Sequence, residues 1–199
     1  MKIKLALLGL CAWVTLLLPM QTIGNNNDGS IKRINVEIIN QSDIVSIQFM
    51  REEEKLAHDV YIFYAEQYNV PIFRNISRSE TAHQKAIMWL MNKYNIEDLS
   101  KEKAGEFNNR ELQQMYDELT QATTLIDALK AGALIEEQDI LDLENHLKKT
   151  DNADVKRVYT NLLRASENHL RAFSRNLSRR GVEYQPKILN LQRYSDIVK

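Results

Sequence analysis

The chain has 199 residues, 44% hydrophobic and 27% charged, and its 26 Lys and Arg nearly balance 27 Asp and Glu. That length suits one domain, or at most two small ones, with a sizeable core. The charge balance excludes a general nucleic-acid binder, which needs a basic excess against phosphates; six glycines and three prolines exclude collagen-like and low-complexity classes and disfavour a turn-rich β-sandwich.

Residues 1–24 read as a signal peptide. Met1-Lys2-Ile3-Lys4 is a basic start, Leu5 to Met20 carries no charge, and Gln21 to Ser30 is polar. Cleavage near Gly24-Asn25 is expected, giving an exported chain, periplasmic or extracellular. A retained segment would instead be a membrane anchor, although the apolar run is short for a span; with the signal removed no transmembrane domain is expected. Cys11 is the only cysteine, so the mature chain has no disulfide, no thiol chemistry and no cysteine metal site. Residues 25–41 read as a flexible segment.

Good helix formers dominate the rest, which predicts an all-α fold. Ser42-Asp43 opens a long helix running to about Asn69, with Pro71 as its stop. A second helix is expected from Ser77, whose spacing to Glu80 fits a capping box, to about Asn95. Residues 96–108 read as loop, and Asn108 caps a short helix over 112–120. Thr124 opens a third long helix ending near Lys149. Asp151-Asn152 starts a fourth, closed by Gly181. The bundle therefore spans 42–185, and a tail, 186–199, carries no assignment. Four long helices with a long connection between the second and third predict a bundle with a crossover.

Steps of three and four along each helix give four inward stripes. The first reads Ile47, Met50, Glu54, Ala57, Tyr61, Tyr64, Tyr68. The second reads Ile76, Glu80, His83, Ile87, Leu90, Tyr94. The third reads Ile126, Leu129, Ala133, Glu136, Ile140, Leu143, Leu147, and the fourth Val155, Tyr159, Leu162, Ser166, His169, Phe173. Each apolar stripe is interrupted by a carboxylate or a histidine, with no cation on the same face. An ionised carboxylate in a core must be neutralised, paired or metal-bound. Mixed carboxylate and imidazole donors suit iron, manganese or zinc.

Glu54-Lys-Leu-Ala57-His-Asp-Val-Tyr61 and Ser79-Glu80-Thr-Ala-His83 resemble the first-helix and Glu-x-x-His patterns of the ferritin-like superfamily. More narrowly, residues 51–61, 79–83, 127–143 and 168–173 resemble the domain-of-unknown-function family 2202, over roughly residues 45–186. The resemblance implies a ferritin-like four-helix bundle with a carboxylate-rich site for one or two iron or manganese ions. The expected ligands are Glu54, Glu80, His83, Glu136, Asp139 and His169, with Glu136 as the bridging carboxylate. Tyr61, Ser166 and Glu137 are expected beside them. The chain departs from the superfamily at Ser166, where a second Glu-x-x-His would place a glutamate; Asp139, one turn after Glu136, is the candidate replacement, and one metal or two stays open.

Of the remaining charged and aromatic residues, Glu52 and Glu53 read as solvated, His58 and His146 as exposed, and Met88 and Trp89 as packing. Arg171 is expected to pair with Asp59 or Glu167. Three functions fit these residues: a di-iron-type oxidoreductase (ferroxidase, oxidase or peroxidase) reacting with oxygen or peroxide, a metal-binding protein without turnover, and a metal-free helical interaction module. The catalytic residues, the electron donor and the oligomeric state, a homodimer included, stay open.

Overall fold

The computed structural model describes residues 39–199; the expected leader and most of the 25–41 segment lie outside them. Among the described residues there are six helices and no strand: α1 (Gln41–Gln67), α2 (Pro71–Tyr94), α3 (Arg110–Leu119), α4 (Leu125–Leu147), α5 (Ala153–Ser178) and α6 (Leu191–Val198). None is long and apolar enough to cross a membrane.

Side-chain caps set most of the helix starts. Asn40 caps α1, Asn109 caps α3, Thr124 caps α4, Asn152 caps α5 and Asn190 caps α6, each accepting hydrogen bonds from first-turn amides. At the second helix the sequence expectation is corrected. Pro71 does not stop a helix; it occupies the first turn of α2, where its missing N–H costs nothing. Val70 before it is extended, as a residue preceding proline must be. Ser77 is therefore interior, and its hydroxyl donates to the Arg74 carbonyl at 3.0 Å instead of capping. Asn95, with φ 53°, closes α2. The cap of α3 is Asn109, not Asn108.

The earlier start has a consequence for the site. Glu80 lies about 14 Å along α2 from its beginning, and Glu54 about 20 Å from the end of α1. Beginning α2 at Ser77 would have put Glu80 only about 5 Å along. The two acids thus reach the same level without an extended return strand.

The long helices pack as α1 on α2, α2 on α5, α5 on α4 and α4 on α1. Neighbours run antiparallel: Tyr61 meets Gly132 and Glu136 on α4, while Tyr94 meets Asn152 and Glu80 meets His169 on α5. It follows that α2 and α4 run in the same direction, and the connection 95–124 has to travel back between them. Gly132 lets α4 and α5 approach, because a Cβ there would overlap the Phe173 ring. The core is divided. One apolar cluster contains Tyr61, Tyr64, Phe73, Leu129 and Phe173; the other contains Ile47, Met50, Ile87, Leu143 and Tyr159. The acids and histidines of the stripes stand at the level between them.

The connection is tied to α1 by side chains expected to be solvated. Glu52 is buried and accepts from the Asn108 and Asn109 amides at 2.6 and 2.9 Å. Lys55 donates to Asp59 and to the Lys103 and Glu106 carbonyls, and lies 4.5 Å from the Phe107 ring centre. Glu53 is also buried. His58 bonds Asp59, and His146 is half-buried between Phe49 and Tyr159, so neither is a free surface residue. Trp89, expected to pack, is 43% exposed with Lys93 and Arg157 over its ring.

The tail carries α6. Arg171 donates to the Ile197 carbonyl rather than to Asp59 or Glu167, and Glu167 pairs with Arg193 of α6. Glu137, expected beside the ligands, instead faces this tail. It is fully buried and accepts from the Tyr184 hydroxyl at 2.6 Å and from the amides of Lys187, Ile188 and Leu189 at 2.8–3.0 Å. Glu137→Ala strips the acceptor from all four donors. At about 1–3 kcal/mol per unsatisfied group, the loss in urea denaturation should be about 3 kcal/mol or more, with faster proteolysis near residues 184–190. A variant of unchanged stability would contradict this anchoring role.

Candidate metal centre

Six of the sequence-predicted ligands meet at the level between the apolar clusters. Glu54 comes from α1, Glu80 and His83 from α2, Glu136 and Asp139 from α4, and His169 from α5. All are buried except His169, whose side chain is 12% exposed. Five of them form two triads, Glu54/Glu80/His83 and Glu80/Glu136/His169, each with donor atoms within 4.8 Å of one another, and Asp139 stands in neither. Glu80 belongs to both. Its Oε2 lies 2.7 Å from His83 Nδ1, and its Oε1 lies 2.9 Å from His169 Nδ1. The carboxylate common to the two triads is Glu80.

The halves are closely matched. His83 Nδ1 also meets Glu54 Oε2 at 3.1 Å, and His169 Nδ1 meets Glu136 Oε2 at 3.4 Å. The two rings stack with centroids 5.6 Å apart. On the far side of His83, Nε2 is 3.3 Å from the Ser79 hydroxyl. The Tyr61 phenol donates to Glu136 Oε1 at 2.5 Å and fixes that carboxylate. Ser166 stands where a further glutamate was expected; its hydroxyl bonds Asp139 Oδ2.

Several donor atoms remain unsatisfied. Glu54 Oε1, Glu80 Oε1, Asp139 Oδ1 and His169 Nδ1 are buried without a hydrogen-bond partner; the close His169 contacts lack hydrogen-bond angles. Buried polar atoms are rarely left so, and four helices direct these at one volume. Ligands about 2.1 Å from one ion lie within about 4.2 Å of each other. A cation in each triad thus needs only side-chain adjustments of a few tenths of an ångström. The donor set fits a divalent metal.

Burial, followed by the charge of Asp139, raises Glu53 and Glu54 well above the usual carboxylate range. Burial and Glu136 push Asp139 up to about 7. Burial also raises Glu136, although His169 counteracts it. At Glu80 burial is outweighed by the two histidines, which hold its carboxyl below the usual range. Burial disfavours charge on the histidines, but the facing carboxylates prevail and move His83 to about 11 and His169 to about 10.

Comparison with known proteins agrees with the chain's own pattern. Residues 43–199 match a family described as "Uncharacterized protein domain (DUF2202)". The Uncharacterized protein MJ0754 of Methanocaldococcus jannaschii is 43% identical over 152 residues, covering 75% of this chain and 82% of its own. The crystal structure of hypothetical protein MJ0754 from Methanococcus jannaschii superposes with a TM-score of 0.79 at 41% identity, covering 81% of this chain and 94% of that one.

These shifts give a pH dependence. Glu53, Glu54, Glu136, Asp139, His83 and His169 all hold protons more tightly in the folded chain than when unfolded. Each stabilises the fold fully below its unfolded value and loses that contribution as pH rises through its folded value. Glu80 acts oppositely, and its contribution is complete above its ordinary value of 4.5. Chelator-treated protein should therefore melt at a lower temperature at pH 8 than at pH 5.5, with the steepest change around Asp139's value of about 7. A divalent metal must displace protons from both imidazoles, so its stabilising effect should grow over the same interval. Thermal melts with and without metal test both signs; a metal-free midpoint that rises toward pH 8 would refute the assignment.

Proposed function

The chain belongs to the DUF2202 family, and from that premise we propose that it is an exported, ferritin-like four-helix-bundle metalloprotein. Its site takes iron or manganese and, with ferrous iron, supports oxidation by oxygen or peroxide. The observation that carries this reading is Glu80, whose two oxygens face two different histidines within two matched triads. That is a divided site with one carboxylate between its halves. The ring of packed helices and the long 95–124 connection support the bundle topology. Export rests on the basic-apolar-polar order of residues 1–24.

Glu54 and His83 would hold one ion, Glu136 and His169 a second, with Glu80 between them and Asp139 offering its free oxygen. Three or more carboxylates against two imidazoles favour iron or manganese over copper. Bound ferrous iron would supply the electrons for reducing oxygen or peroxide. The chain does the rest. Tyr61 orients Glu136, Ser79 orients His83, and Ser166 orients Asp139. Met50, Ile87, Ala133 and Ile140, one turn from the ligands, are fully buried and exclude water. The imidazoles give up their Nδ1 protons when their lone pairs are needed, and the carboxylates offset added positive charge.

The test is anaerobic titration with Fe(II), followed by oxygen. Two ions per chain and an ultraviolet ferric absorption that grows faster than with free iron are expected. Glu80→Ala, which removes the shared donor, should reduce the count and abolish the fast phase. Tyr61→Phe should keep the count and slow oxidation or weaken binding about tenfold. A wild-type chain that binds no metal overturns the reading in favour of a metal-free helical module. Uptake without accelerated oxidation reduces it to metal binding alone.

A further inference from the structure

Glu53 is adjacent in sequence to Glu54 but lies on a different face of α1, toward α4. It is 3% exposed, and neither carboxylate oxygen has a hydrogen-bond partner. The charges acting on it most strongly are Asp139 and Asp142 of α4 and Glu54 of its own helix, all acidic. Asp139 also carries an unpartnered oxygen, Oδ1. Asp142 is half-buried, and Gln138 donates to its Oδ2 at 2.5 Å. Asp139 and Asp142 are separated by one helical turn, which places their Cβ atoms about 5–6 Å apart.

An unpaired carboxylate is costly to bury, and a purely structural position here would be served by glutamine or leucine. These acids instead make a stepwise row from a partly exposed residue to the cluster. The other approaches offer less to a cation. The outer cavity between α1, α2 and the long connection sets Arg51, Lys55 and Lys101 against Asp59, Asp98 and Glu102, with Arg51 paired to Asp98 and Lys55 to Asp59, and so offers a cation no acidic excess. On the remaining side stand His83 and His169, whose Nδ1 atoms already face Glu80.

We propose that Glu53 is a relay site for divalent cations, receiving an ion from Asp142 at the α1/α4 surface and passing it by Asp139 to Glu54 and Glu80. The proposal rests on the reading that the glutamate–histidine cluster holds metal. Each carboxyl group that gives up its proton to an arriving cation adds negative charge along the row, and charge of this kind speeds arrival and weakens with salt.

Stopped-flow loading of the chelator-treated full chain with Co(II) alone, followed by visible absorption, tests it. Release into excess chelator is measured alongside. Glu53→Gln and Asp142→Asn should each slow uptake about tenfold, flatten its salt dependence and also slow release, with the same number of ions bound at saturation. Slowing in both directions marks a path, whereas a group that only strengthens binding would slow uptake and hasten release on removal. Glu118→Gln, on the exposed face of α3, should leave both rates unchanged. Wild-type rates in the two relay variants, slower uptake with faster release, or equal slowing in Glu118→Gln overturns the relay. A wild-type chain that takes up no Co(II) removes the metal reading itself and the relay with it. Should Glu53→Gln fail to fold, the half-exposed Asp142 variant carries the same comparison.

Discussion

Five carboxylates, Glu53, Glu54, Glu80, Glu136 and Asp139, lie in the interior against two imidazoles. The rest of the structure depends on containing that charge. Burial raises most of these acids, and only Glu80, faced by both histidines, is held in its charged form. A core of this kind is stable only where the donors are fixed and their lone pairs meet protons or cations. The apolar clusters above and below the polar level do the fixing, since close-packed side chains transmit little freedom to the groups between them.

Three consecutive glutamates show how fully α1 is enclosed. Helical geometry sends Glu52, Glu53 and Glu54 out about 100° apart. Glu52 meets the amides of the long connection, Glu53 meets α4, and Glu54 meets His83 of α2 in the carboxylate–histidine cluster. None finds bulk water. This is possible because the connection 95–124 folds over the outer side of α1, locked by Lys55 and Asp59. Glu137 plays the corresponding part on α4, gathering the 184–189 segment against a helix whose nearest acids in sequence, Glu136 and Asp139, turn inward.

The centre is nearly symmetric and departs from symmetry at one point. Glu54 with His83 mirrors Glu136 with His169 across Glu80. The serine at 166 breaks the match, and Asp139, bonded to that serine, brings an oxygen from the neighbouring helix instead. A shorter side chain on α5 and a carboxylate one turn along α4 thus fill the same region. The cost is crowding on α4, visible in the raised protonation range of Asp139.

By itself the sequence determined the helical fold, the inward stripes and the identity of the residues that meet between the apolar clusters. These follow from the 3.6-residue period, which is local and repeats often enough to be read without a partner. The caps at Thr124 and Asn152 were legible for the same reason. Tertiary structure alone decided the rest. Ser77 and Glu80 have the spacing of a capping box, and nothing local reveals that Pro71 has already begun the helix. Glu52 and Glu53 lie off the stripes and look solvated, and Glu137 looks like a neighbour of the ligands, because periodicity reports one buried face and not a second covering layer. Around Glu52 and Glu137 that layer is built by the long connection and the tail, whose amides find these two acids only once distant segments meet. Likewise the choice of Glu80 as the shared carboxylate depended on which side chains face each other across four helices, a relation of helix order and rotation that no single stripe contains.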